Sequence, residues 1–249
     1  MASRSTPGRS PIGVAALLLV LVLPAAAAAA DRYFLLVFGA ERPSSRAKYS
    51  HSFATFVKAS GQGADPQTYP LECATISWIP GTGIVKVSRL MPEPGRNLDL
   101  TESLQSALGE QMKVSMWGPF AIDAELYADA VRREATLESG MVRYKAVDTA
   151  YRRERVFNCI HAISDLETRG PRLRIGRPSW GASASYFITL SLLPWTIEPR
   201  LTHDWVATRL GLDDYPIIRR DLYHNPSSHA LLRALQNSAH CKVRKNIPE

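Results

Sequence analysis

The segment Asn158-Cys159-Ile160-His161 carries the clearest chemical signal in the chain. Asn is a favoured helix cap, and the residues after it repeat apolar types at Ile160, Ile163 and Leu166, so Cys159 is predicted in the first turn of a helix. A thiol there faces unsatisfied backbone N–H groups and the positive end of the helix dipole. Both favour the thiolate and draw the pKa from about 8.5 toward neutrality. A nucleophilic cysteine also needs a base held by structure. His161 lies two positions on, about 200° round the helix, and is expected to support the fold instead. The better base is His51, in the alternating stretch 51–59 (HSFATFVKA). The competing reading makes Cys159 a buried, inert thiol, since free cysteine is among the most buried residue types.

These side chains need elements to hold them. Residues 33–39 (YFLLVFG) form a continuous apolar run, read as a buried strand. In 51–59, alternation puts His51, Phe53, Thr55 and Val57 on one face and Phe56 on the other. A Gly/Pro/Asp loop over 61–70 separates this strand from another at 71–79 (LECATISWI), which makes a hairpin. Residues 84–90 (IVKVSRL) read as a third strand. Asp99 or Thr101 caps a short helix with Leu100, Leu104 and Leu108. Residues 113–117 suggest a strand, and Asp123 caps a clearer helix that Gly140 stops. The apolar, Ser-rich stretch 180–195 fits a strand or a buried helix, and 203–210 a short helix ended by Gly211. Strands early and helices gathered in the middle imply a single α+β domain.

The order of a strand histidine, a hairpin, a helical insert with a Tyr and then N-C-x-H resembles the circularly permuted papain-like hydrolases. These are relatives of the NlpC-type cell-wall peptidases and of lecithin retinol acyltransferase. The likeness spans roughly 51–166, with Ala162 where an aromatic is usual. It implies a small antiparallel sheet packed against a helix bearing the cysteine at its N-terminus, with Cys159 as nucleophile and His51 as base. A third polar residue from the next strand would orient the imidazole, and Thr75 or Ser77 fits that place. The implied chemistry is thiol acyl transfer on an amide or ester, with peptidoglycan stem peptides or envelope lipids as acyl donors and no cofactor. The alternative is a non-catalytic envelope protein that keeps this scaffold for binding or structure.

Composition frames these choices. The chain has 249 residues, 45% hydrophobic, with 30 Lys+Arg, 23 Asp+Glu and 3 Cys. That excludes a disordered polymer, a collagen and a cysteine-stapled miniprotein. Arg4 and Arg9 precede the apolar run 12–23, then Pro24 and the alanines 25–30, which are the parts of a secretory signal. The run is shorter than the ~20 residues of a membrane span, so cleavage near Ala30 is expected ahead of an uncleaved anchor. The expected organisation is a signal over 1–30, one domain over 31–224 and a polar tail over 225–249. Cleavage would remove two arginines from a net charge of +7. The remaining basic excess lacks interleaved aromatics or a nucleic-acid motif. Weak contact with a membrane surface or anionic polymer is expected, and nucleic acid is not. Three cysteines leave at least one unpaired, and a Cys73–Cys241 bridge would leave Cys159 free. His203, Asp204, His224 and His229 lack the spacing of a known metal motif. Ser179 and Ser183 lack a G-x-S-x-G elbow.

Overall fold

Strand β1 (Arg32–Glu41) is buried on both faces along most of its length because its apolar run leaves no polar side to turn to water. It is the middle strand of a five-stranded sheet in the order β3-β2-β1-β6-β9, with β2 (Ser50–Ala59), β3 (Leu71–Ile76), β6 (Lys113–Ile122) and β9 (Ile217–Arg219). All neighbours are antiparallel except β6 and β9. A second, four-stranded sheet has the order β4-β5-β7-β8, from Trp78–Pro80, Glu93–Asn97, Arg143–Tyr144 and Val156–Phe157. The computed structural model describes residues 31–42, 50–63, 65–152, 154–166, 173 and 180–223. The expected signal over 1–30 and tail over 225–249 lie outside them, as do Cys241, His224, His229 and Ser179.

Both faces of the large sheet are covered. Helices α1 (Leu100–Gly109) and α5 (Asp204–Arg209) pack Leu104, Ala107, Val206 and Ala207 against Phe34, Phe38, Phe53 and Val57. On the other face lie α2 (Ala124–Glu138), α3 (Cys159–Ser164) and α4 (Gly181–Leu192), against Leu35, Val37, Ala54 and Phe56. The period-2 assignment of β2 is thus observed, with Phe53 and Val57 in one core and Phe56 in the other. Asp99 caps α1 in a reciprocal capping box with Glu102, and Asp123 caps α2. The stretch 180–195 is the helix α4 with a 3-10 turn at its end. Its N-terminus presses so closely on β1 that a Cβ on Gly39 would lie 2.7 Å from the Cα of Ala182. The Ser185 hydroxyl fixes α4 from within, donating to Phe38 O at 2.7 Å and meeting Ser52 Oγ at 2.9 Å.

The expected third strand at 84–90 is not formed. Those residues make turns and irregular extended chain, and the next strand is β5. A β-branched run needs a neighbouring strand and a core to face, and Ile84, Val87 and Leu90 face solvent instead. The α+β class stands: two antiparallel-rich sheets with five helices among the described residues.

Candidate active site

The two sheets part at Ser77, and that parting builds the site. Pairing of β2 with β3 ends at Ala54↔Ile76, and β4 then leaves with the second sheet. Among the described residues, no strand therefore pairs with residues 51–53 on the side away from β1. Asn97 clamps the break. Its Oδ1 accepts from Ser77 N at 2.8 Å, its Nδ2 donates to Thr75 O at 2.6 Å, and Leu98 N donates to Ser77 O at 3.1 Å. Thus fixed, the Ser77 hydroxyl meets His51 Nε2 at 2.9 Å. Thr75, the other candidate for orienting the imidazole, instead pairs with Thr55 Oγ1 at 3.1 Å inside the sheet.

His51 is half-buried on the α1 face, stacked on Phe53 with 5.6 Å between ring centroids. Burial alone pushes its pKa down to about 4, so the ring is neutral at pH 7. With Nε2 held by Ser77, Nδ1 is the nitrogen left to take a proton. His51 also lines a cavity of about 410 Å³ together with Ser50, Ile79, Ile84, Arg96 and Met112.

Cys159 opens α3 as predicted, and its thiol reaches this stretch of β2. The backbone amides of Ser52, the residue after His51, and of Cys159 and Ile160 lie close enough to the thiol to favour its charged form. Strand N–H groups lie in the plane of their sheet. The thiol therefore sits at the edge of β2, while the imidazole lies over the α1 face. Among the described residues no hydrogen bond joins them. The expectation of a depressed thiol pKa is corrected: burial outweighs the three amides and pushes Cys159 up to about 11. A six-residue α3 also has few aligned peptides to supply a dipole. Nearby Tyr144 is pushed well above the ordinary phenol range, by burial first and then by charge on Cys159, Asp148 and Glu93.

Asn158 and His161 are explained by a residue that the sequence did not single out. Asp148 is fully buried and accepts from Asn158 N at 2.8 Å, Asn158 Nδ2 at 3.1 Å and His161 Nδ1 at 2.7 Å. Asn158 Oδ1 in turn caps α3 by accepting from His161 N at 2.8 Å. His161 Nε2 lies 3.1 Å from Leu173 O. The N-C-x-H pattern is thus a clamp that seats the first turn of α3, with Cys159 projecting from it. Asp148 lies in a loop without periodicity, so nothing in the sequence marked it. Asn97 was hidden in the same way, at the end of a short inner strand of the second sheet.

The remaining candidates separate. Cys73 is exposed on β3, and both it and Cys159 are free thiols. Among the described residues no group of three or more His, Cys, Asp or Glu could hold a metal. Also among them, no helix is long and apolar enough to cross a membrane. The structure thus brings His51 to Ser77 and Cys159 to the residue beside His51, and leaves Thr75 outside the site. No protein-family model, curated protein or solved structure matches the chain.

Proposed function

We propose that the chain is an exported thiol hydrolase or acyltransferase of permuted papain-like architecture, with Cys159 as nucleophile, His51 as base and Ser77 orienting the base. The observation that carries this reading is the meeting at residues 51 and 52 of one strand. There the Ser52 amide lies near the thiol and favours its charged form, and the neighbouring imidazole has one nitrogen fixed by Ser77 and the other uncommitted.

In the reaction, His51 Nδ1 accepts the thiol proton as Sγ forms a bond to an amide or ester carbonyl carbon. This step requires a side-chain rotation that brings the two groups together. The carbonyl π pair moves to oxygen, and the amides of Cys159 and Ile160 supply the donors for that oxyanion. Collapse expels the amine or alcohol, which takes the proton from His51 and leaves a thioester on Cys159. Water or a second nucleophile, deprotonated by the same imidazole, releases the acyl group. A peptidoglycan peptide or an envelope lipid is the acyl donor that an exported protein would meet.

A second reading is a non-catalytic envelope binding or structural protein. The thiol pKa of about 11 and the missing thiol–imidazole bond favour it. Acylation by p-nitrophenyl butyrate separates the two. The catalytic reading expects a hydroxylamine-labile butyryl group on Cys159, located by peptide mass spectrometry. Its formation should slow about a hundredfold in His51→Gln. Acylation of Cys73 alone, or of no cysteine, would leave the binding protein standing.

A further inference from the structure

Residues 82–92, with strand propensity but no strand, form a built apolar projection. Ile84, Val87, Leu90 and Met91 are 61%, 46%, 84% and 71% exposed, although all four are of types that normally turn inward. They are held there by polar contacts beneath them. Glu93 is buried, and its Oε2 accepts from Thr82 Oγ1 and from Arg89 Nη1, each at 3.1 Å. Gly83 N closes a turn onto Pro80 O at 2.8 Å, and the Tyr151 hydroxyl donates to Leu90 O at 2.8 Å. The loop is therefore anchored from below at both ends while its apolar side chains stand clear of the core.

Charge says what covers it. Lys86 lies in the loop, Arg96 follows on β5, and Arg152 adjoins Tyr151; all three are exposed. None of them has a carboxylate partner among the described residues. The acidic group of the loop, Glu93, is buried and spent on Arg89. Large exposed apolar side chains with cations in and beside their segment fit the headgroup–acyl boundary of an anionic bilayer. A partner protein would more often meet such a patch with paired polar rims.

We propose that residues 82–92 dock the protein on an anionic phospholipid surface, with Ile84, Val87, Leu90 and Met91 inserted among the acyl chains and Lys86, Arg96 and Arg152 at the headgroups. Ile84 also lines the His51 cavity, so docking sets the mouth of that cavity against the lipid. The docking itself does not depend on the thiol chemistry, and it is measured without turnover.

The test is co-sedimentation with vesicles of equal parts phosphatidylglycerol and phosphatidylcholine, and with pure phosphatidylcholine. Wild type is compared with Leu90→Ser/Met91→Ser in chains of identical length, so that any retained run 12–23 contributes equally. The wild type should bind the anionic vesicles, more weakly at high salt. The double variant should lose about tenfold or more in partitioning, and Lys86→Glu about fivefold or more on anionic vesicles alone. Both changes lie at the surface, and an unchanged melting temperature confirms the fold. Equal binding by wild type and the double variant would overturn the proposal. So would no binding by wild type. Self-association without lipid that the double variant abolishes would assign the patch to a second copy of the chain instead.

Discussion

His51 sits where burial acts on its charge with no acid among the described residues to offset it, and this gives the residue a measurable signature. Its pKa falls from 6.5 in the unfolded chain to about 4 in the fold. Between those values the unfolded chain binds a proton that the folded chain does not. Its contribution is therefore intact above pH 6.5 and is lost as pH falls toward 4. Denaturant unfolding of wild type should lose roughly 2–3 kcal/mol more across this window than His51→Gln does. Parallel pH profiles for the two proteins would show that the ring is freely solvated. Ser77→Ala removes the hydroxyl from a half-buried nitrogen and should cost about 1 kcal/mol by the same assay. It should also slow acylation of Cys159 if Ser77 orients the imidazole.

At the scale of elements, the seating of α3 depends on Asp148 more than on helix propensity, since a six-residue helix is marginal without tertiary support. Asp148→Ala would strand the Asn158 and His161 donors and leave a void. It should destabilise the fold by roughly 3 kcal/mol, read from chemical denaturation. Gly39→Ala should cost about 1–3 kcal/mol, because the added methyl meets backbone that cannot move aside. What the sequence revealed here follows physical lines. Capping residues and period-2 alternation are local, so Asp99, Asp123, Asn158 and the two faces of β2 were readable. The α4 stretch is apolar all round, so periodicity could not choose between strand and helix. The run Ile84–Val87 has strand propensity but no strand beside it, and pairing is decided elsewhere in the chain.

Across the whole molecule, the α+β class agrees with expectation, and the two clamps do not appear in the sequence at all. Asn97 acts on Ser77 across 20 positions and Asp148 on His161 across 13. Neither distance leaves a local pattern. The raised thiol pKa has a related origin, since the burial that causes it is a property of the assembled core and not of the helix start. The decisive measurement is the rate of Cys159 alkylation by iodoacetamide against pH, with Cys73 and Cys241 changed to Ser, in the presence and absence of His51→Gln. If the neutral imidazole serves the thiol, the wild-type rate rises as His51 deprotonates near pH 4, stays level through neutrality, and rises again toward pH 11. In His51→Gln only the upper rise remains. If both proteins instead follow one rise toward pH 11, His51 does not act on Cys159 and the thiol is a structural residue.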